Sequence, residues 1–131
     1  MAAVDIVAAV FIEGIDLRAE PGPSTKIDLT GVHFSSVAPA APPVTIEPHL
    51  VVLVRCHDDE TGTGALEVTF HRDGEQIARN IQPLQVDPGK FGYRLVRAEL
   101  SFEGYGTIEA RARIAGGPIV EVPLTLLPPV D

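Results

Sequence analysis

The sequence lacks several residue types on which binding and catalytic sites are often built. It has one cysteine, no tryptophan, two tyrosines and five phenylalanines among 131 residues. A single cysteine excludes an intramolecular disulfide and a zinc site made of several thiolates. Cys56 ends an apolar run, so we expect a buried thiol rather than a nucleophile. With the phenylalanines expected inside, only Tyr93 and Tyr105 remain as aromatic platforms, which argues against sugar binding.

Basic residues are also scarce, with ten Lys and Arg against 18 Asp and Glu, giving a formal net charge of -8. Such a surface repels phosphate backbones, so we expect no nucleic-acid partner. No apolar run approaches the roughly 18 residues of a membrane-spanning helix. The apolar stretch from Met1 to Gly14 has no basic n-region and is interrupted by Asp5. We therefore expect no signal peptide, no membrane contact and a cytoplasmic protein.

Long stretches that could form a helix are few, because twelve glycines and twelve prolines punctuate the chain. The longest segments without either residue are Met1 to Glu13 and His49 to Thr61, and both are rich in β-branched residues. We predict a strand in each. Val51 to Val54 is apolar at every position, which is typical of a central strand covered on both faces. The length fits one domain over residues 1–131.

Two hairpin signatures indicate the fold class. Ala65 to Ile81 is broken by Asp73-Gly74, and Thr107 to Leu127 is broken by Gly116-Gly117. Apolar and polar residues alternate on both sides of each break, which gives each strand one dry face and one wet face. The pattern predicts an antiparallel all-β sandwich of eight or nine strands.

The first hairpin contains a conflict of register. A two-residue turn at Asp73-Gly74 pairs Leu66 with Ile81 on the apolar face. The same register puts Arg79 opposite Val68 on that face. The conflict predicts a β-bulge, or an edge strand that ends at the rim of the sheet.

The apolar residues of the second hairpin form two alternating sets, Ile108, Ala110, Ala112 and Ile114 before the turn and Val120, Val122, Leu124 and Leu126 after it. The loop must have an odd number of residues, since an even loop would put the two sets on opposite faces. A three-residue loop that ends at Gly117 pairs Ala112 with Val120, and Arg111 with Glu121 on the wet face. We predict that Gly117 adopts a left-handed conformation as a bulge glycine.

Two further features predict changes of sheet. The proline-rich segment from Pro39 to Pro43 is a stiff crossover that cannot donate to a ladder. The apolar alternation changes phase between Leu95 and Val96, which predicts a bulge or a strand that passes from one sheet to the other.

One loop carries residue types that bind metals, namely His57, Asp58, Asp59 and Glu60. Their consecutive positions do not force the side chains to converge, and they lack the spacing of a calcium loop. We therefore predict no metal site, no catalytic residue and no cofactor. These four residues are the candidate ligands of an alternative function, small-ligand or metal binding through loop 57–63.

Other polar residues give no catalytic pattern. His71 lies on the polar side of its strand and is expected to be exposed, and no histidine has an obvious serine or cysteine partner. A strip of Arg111 and Arg113 with Glu109 and Glu121 is either a protein contact or ordinary cross-strand ion pairing, and we expect the latter.

Several segments together carry a family resemblance: Leu29-Thr30-Gly31-Val32-His33-Phe34, Pro48-His49-Leu50-Val51-Val52-Leu53-Val54-Arg55, Asp87-Pro88-Gly89 and Tyr105-Gly106-Thr107. With these motifs the chain resembles a family of small uncharacterised bacterial, mostly actinobacterial, β-sandwich proteins. The resemblance implies an immunoglobulin-like sandwich and transfers no catalytic residue.

The function that we expect is that of a non-enzymatic structural or protein-interaction module acting through sheet edges or a sheet face. Open sandwiches have edge strands with unpaired backbone groups, which invite strand addition. The apolar segment Val4 to Ile12 is the edge expected to be used, by a protein partner or by a second copy in a homo-oligomer.

Overall fold

The protein is described by a computed structural model that covers residues 4–19, 25–57, 62–114 and 116–129. Within those ranges the regular structure is entirely β. The strands, in chain order, are β1 (Val4–Ile12), β2 (Gly14–Ala19), β3 (Thr25–Thr30), β4 (Ser35–Val37), β5 (Val44–Ile46), β6 (His49–Cys56), β7 (Gly62–Arg72), β8 (Glu75–Val86), β9 (Phe91–Arg97), β10 (Leu100–Phe102), β11 (Gly106–Ile114) and β12 (Val120–Leu127). This part of the chain contains no helix that could reach across a bilayer.

The described ranges contain twelve strands rather than the eight or nine predicted. Three of them, β4, β5 and β10, are only three residues long. A further strand, β2, begins directly after β1 at Gly14, where the sequence pattern gave no separate strand. The excess therefore comes from short strands and from β2, which lies beyond the predicted strand segment Met1 to Glu13.

The strands form two larger sheets and two small ribbons. The sheets have the orders β1-β6-β9 and β4-β12-β11-β7-β8, and the ribbons are β2-β3 and β5-β10. Pairing is antiparallel except between β12 and β4, which run parallel. The predicted antiparallel all-β class is confirmed, with one parallel pair at a sheet edge.

The two larger sheets share one hydrophobic core, to which alternate residues of each sheet contribute. Strand β11 buries the predicted set Ile108, Ala110, Ala112 and Ile114. Phe11 of β1 and Phe70 of β7 are among the largest side chains that are fully buried. The period-two pattern thus identified the inner faces of these strands correctly.

The first hairpin has the predicted two-residue turn. Arg72 and Glu75 flank it, and both central residues have positive φ, 53° at Asp73 and 81° at Gly74. This is the type I′ geometry, which matches the right-handed twist of the flanking strands.

The predicted bulge is also present in this hairpin, because the register shifts at the end near the turn. Leu66 consequently faces Gln82 instead of Ile81, and Ile81 is exposed. Arg79 lies opposite Thr69 rather than opposite a valine. The extra residue therefore removes the charged side chain of Arg79 from the core face. The predicted pairing of Leu66 with Ile81 was wrong.

The second hairpin has the predicted register, with Ala112 opposite Val120 and Arg111 opposite Glu121. The prediction that Gly117 is the left-handed residue was wrong by one position, since the positive φ of 77° is at Gly116. The amide of the following residue, Gly117, donates to the Ile114 carbonyl at 2.7 Å. A turn closed by that bond has its left-handed residue one position before the donor, as in a type II turn.

Both predicted changes of sheet occur. The segment from Pro39 to Pro43 connects β4 of the five-stranded sheet with β5, after which β6 enters the three-stranded sheet. The ladder between β6 and β9 has no register shift and ends at Arg97, and from Leu100 the chain pairs with β5 instead. The chain therefore leaves the three-stranded sheet after Arg97, and β9 contains no bulge.

Replacing Gly74 by alanine tests the I′ turn. At both Gly74 and Gly104 an added Cβ would meet no atom within 4 Å, but only Gly74 has a left-handed φ. We expect Gly74→Ala to lower the free energy of unfolding by about 1–2 kcal/mol, because L-residues are strained there. The matched control Gly104→Ala is expected to be neutral or to stabilise by up to about 1 kcal/mol. Urea unfolding measures both, and equal effects of the two changes would contradict the turn geometry.

Candidate functional site

The central strand β6 is covered on both of its faces. Leu50, Val52 and Val54 point into the shared core. Val51 has the opposite orientation and is also fully buried, although it lies outside that core. The prediction of a central strand is confirmed, and a second apolar layer must therefore lie on the outer face of the three-stranded sheet.

We infer that the ribbon β2-β3 supplies that layer, because Leu17 and Ile27 of the ribbon line one groove together with Leu53 and Tyr93 of the sheet. Its register places Ile15 opposite Leu29 and Leu17 opposite Ile27, so one face of the ribbon is apolar. The other face is charged, and on it the guanidinium of Arg18 donates to Asp28 at 3.0 Å. A two-stranded ribbon alone is marginally stable in water, so burial of its apolar face against the sheet contributes to holding it in place.

The ribbon leaves part of the outer face open as an apolar groove of about 370 Å³. The residues that line the groove come from the ribbon and from β6 and β9: Leu17, Ile27, Leu53, Phe91, Gly92, Tyr93 and Arg94. Phe91 is 67% exposed and Leu17 is 55% exposed, values that are high for large apolar side chains. We call this surface the ribbon groove.

The sequence pattern missed the ribbon groove because the phenylalanines were expected inside. Phe91 is exposed, and so is Phe34, which lies outside the groove at 54% exposure. A signal was present, since Phe91 and Tyr93 share one parity of β9 while Val96 has the other. A strand that is apolar on both parities needs two covering layers, or it leaves one face open.

Arg55 lies beside the aromatic side of the ribbon groove, whereas the side chain of Arg94 leaves the opposite face of β9 and crosses to β8. The Arg55 guanidinium carbon lies 5.7 Å from the centroid of the Phe91 ring, within the range of a cation–π contact. Arg94 donates from Nη1 to the Tyr93 carbonyl at 2.9 Å and from Nε to the Pro83 carbonyl at 3.5 Å. In the described residues neither arginine forms a salt bridge with a carboxylate.

The edges of the sandwich are less open than the sequence suggested. Between β8 and β9, Gln82 donates to the Leu95 carbonyl at 3.1 Å, and Arg94 reaches across to Pro83. These side chains occupy backbone groups that an added strand would need.

The predicted docking edge, β1, does lie at the edge of its sheet. Its ladder with β6 is interrupted between Ile6 and Ala8, and Val7 is exposed at that bulge. On the outer side of β1, the His33 amide donates to the Phe11 carbonyl at 3.0 Å. Bulges and covering segments are the devices by which edge strands are protected, so β1 is a poor template for strand addition.

The structure describes only one of the four candidate metal ligands. His57 lies at the end of β6, where its Nε2 pairs with the Asp5 carboxylate of β1. Asp58, Asp59 and Glu60 lie outside the described residues, so binding through loop 57–63 stays a prediction. Within the described ranges, no three His, Cys, Asp or Glu side chains form a group that could hold a metal ion.

Other titratable residues have local structural partners. His71 is partly buried rather than exposed, because its ring turns onto Thr69, with Nε2 2.8 Å from the hydroxyl oxygen. The Nδ1 atom of His33 lies 2.7 Å from the Gly31 carbonyl oxygen. Cys56 is buried in the shared core, as predicted.

The charged strip on the five-stranded sheet forms ion pairs, as expected. Arg111 Nε lies 3.0 Å from Glu109 and 3.7 Å from Glu121. These side chains are between a third and three fifths exposed, so each pair contributes little to stability.

Glu67 lies on the same face between two arginines. Arg79 donates to it at 2.8 Å, and Arg113 lies 3.4 Å from its other oxygen. The hydrogen bond from Arg79, together with the charges of Arg79 and Arg113, holds the pKa of Glu67 below its usual 4.5, although partial burial acts in the opposite direction.

Comparisons with known proteins give a likeness of fold only. No family model matches the sequence, and no curated protein matches it. Among solved structures, a β-glucosidase from Erythrobacter marinus superposes with a TM-score of 0.52 at 18% identity, over 72% of this chain and 14% of that chain. A β-glucosidase from Listeria innocua in complex with glucose superposes with a TM-score of 0.54 at 8% identity, over 90% of this chain and 16% of that chain. This chain thus spans a small part of either protein.

Replacing Glu67 by glutamine tests the ion-pair geometry. The lowered pKa means that the ionised carboxylate stabilises the fold above its unfolded-state pKa, and that this stability is lost as the pH falls through the folded-state pKa. We expect Glu67→Gln to destabilise the protein at pH 7 and to have a much smaller effect at pH 3. Urea unfolding at both pH values measures this. The control variant is Glu103→Gln. If the effect of Glu67→Gln on stability did not depend on pH, the assignment of the ion pairs to Glu67 would be contradicted.

Zinc titration tests the alternative use of loop 57–63. Because Asp5 already engages the imidazole of His57, we expect no change in the melting temperature of untagged protein when Zn²⁺ is added. A rise in melting temperature that disappears in His57→Ala would contradict this expectation and favour the metal-binding alternative.

Proposed function

We propose that this protein is a non-enzymatic, immunoglobulin-like interaction module that binds a protein partner through the outer face of its three-stranded sheet. The observation that carries the proposal is Phe91, two thirds exposed beside the ribbon groove. Exposed aromatic side chains beside an apolar depression are the typical anchors of protein interfaces.

A sheet face suits this role better than a sheet edge. Side chains of Gln82 and Arg94 occupy the β8–β9 edge, and β1 is bulged at Val7. The ribbon groove, in contrast, presents side chains of Leu17, Phe91 and Tyr93 together on one concave surface. These observations support docking by side-chain burial rather than by strand addition.

The chemistry of the groove supports binding rather than catalysis. General acid–base catalysis needs a carboxylic acid, imidazole or similar group within reach of the substrate. The described residues that line the groove include no carboxylate and no histidine, and their one charged residue is Arg94.

A different protein suits the groove better than a second copy of this chain. Two copies that each carry a formal charge of -8 repel one another as they approach. The likeness to small portions of larger enzymes is compatible with a module that works beside other domains. Their β-glucosidase activity is not part of the proposal.

A peptide library displayed on phage tests the proposed docking site. Clones selected on the immobilised protein are expected to bind at least about tenfold more weakly to Phe91→Ser, since truncation of an interface anchor costs more than about 1 kcal/mol and often 2. The control, Phe34→Ser, removes an equally apolar exposed ring outside the groove and should bind like the wild type.

Both substitutions are at exposed positions, so unfolding curves should confirm that stability is nearly unchanged. A selection that yields no clones, or only clones that bind Phe91→Ser as well as the wild type, would contradict the proposed function.

A further inference from the structure

The outer face of the three-stranded sheet is covered at one end only. Three cross-strand pairs follow one another along it, namely Val51 with Leu95, Leu53 with Tyr93, and Arg55 with Phe91. Exposure rises in that order, because Val51 is fully buried, Leu53 is half-buried and Phe91 is 67% exposed. The cover over this face therefore thins toward Phe91.

The apolar face of the ribbon becomes exposed in the same direction. The chain leaves the sheet beyond Ile12, the last residue of β1, so Ile15 is nearer to the attached end than Leu17 is. Ile15 is half-buried, whereas Leu17 is 55% exposed. Two-stranded ribbons twist more strongly than wider sheets, which makes the two apolar surfaces diverge away from their point of attachment. The ribbon groove lies at the open end between them.

A bend in one hairpin joins the ribbon to the sheet. The register is the same on both sides of the bend, with Phe11 opposite His33 and Gly14 opposite Thr30. Between these two pairs the ladder is interrupted, and Gly31 has a left-handed φ of 64°. The side chain of Glu13 packs against Gly31, where an added Cβ would lie only 2.6 Å from it. The bend is therefore confined to a short stretch of both strands, as in a hinge.

Beyond the bend the ribbon forms a single unit. Its pairing is continuous from Gly14 and Thr30 to Ala19 and Thr25, and Arg18 is bonded to the carboxylate of Asp28 on the charged face. The side chains on the other face are aliphatic, so their contact with the sheet is not directional. A rotation at the bend therefore moves the ribbon as a whole and keeps its internal hydrogen bonds.

We propose that the ribbon is a hinged flap, which turns about the bend at Glu13 and Gly31 and closes over an apolar side chain of the partner. Without a partner, closure leaves a space between Leu17 and Phe91 that no atoms fill, and the residues around it lose dispersion contacts. An apolar side chain in the groove of about 370 Å³ supplies those contacts. The partner stabilises the closed state, because it contacts both surfaces only there. This inference rests on the proposed function and adds how the groove holds its partner.

Methyl relaxation dispersion measures the motion of the flap, since it detects exchange on the microsecond-to-millisecond scale of hinge motions. Leu17 and Ile27 line the groove with the Phe91 ring, so opening and closing change the chemical shifts of their methyl groups. We expect exchange broadening at both residues in the free protein. It should disappear when the groove is saturated with a phage-selected peptide whose binding depends on Phe91. Ile108, which is buried in the shared core, should show no exchange in either state.

Two substitutions separate closure from other motions of the ribbon. Phe91→Ser removes apolar surface that the closed flap covers, so the exchange contribution at Ile27 in the free protein should fall by about twofold or more. The control, Phe34→Ser, removes an exposed ring outside the groove and should leave that contribution unchanged. Both positions are exposed, so neither substitution should disturb the fold.

Flat dispersion profiles at Leu17 and Ile27 in the free protein would overturn the flap and leave the proposed function standing. Exchange that persists unchanged in the peptide complex, or that is equal in Phe91→Ser and the wild type, would do the same. A library that yields no peptide dependent on Phe91 would overturn both, because the flap would then have no partner to close over.

Discussion

Strand β6 imposes the constraint on which the rest of the structure depends. Its residues are apolar on both faces, so the hydrophobic effect requires a cover on each side. The five-stranded sheet covers the inner face, where Val52 and Val54 are buried. The outer face, with Val51 and Leu53, needs a separate layer, and the β2-β3 ribbon provides it. If the outer face of the three-stranded sheet were polar, water could solvate it and no covering ribbon would be needed.

The ribbon is shorter than the face that it covers, and this mismatch creates the candidate site. Leu17 and Ile27 line one groove with Leu53 and Tyr93, and Phe91 beside them lies mostly in water. Because the sheet edges are bulged or occupied by side chains, this face is the surface that we propose for a partner. Covering the sheet and leaving an apolar groove exposed are therefore two consequences of the same arrangement.

The sequence predicted the parts of the fold that follow from alternation. Period two and an odd loop determined that Ala112 faces Val120, because a slip of one residue would have turned a whole strand inside out. The bulge was foreseen from a buried-charge conflict, but not its position, so Ile81 was misplaced. Leu17 and Phe91 were not recognised as site residues. Alternation shows that β9 has apolar residues on both faces, but it does not show how much of the outer face another segment covers.

Nuclear Overhauser spectroscopy on methyl-labelled protein tests whether the ribbon forms the second layer on the outer face of the sheet. We expect cross-peaks from the Leu17 and Ile27 methyl groups to the Leu53 methyl groups and the Tyr93 ring. Cross-peaks only between the two strands of the ribbon, with none from the ribbon to Leu53, would show that the ribbon does not cover the sheet.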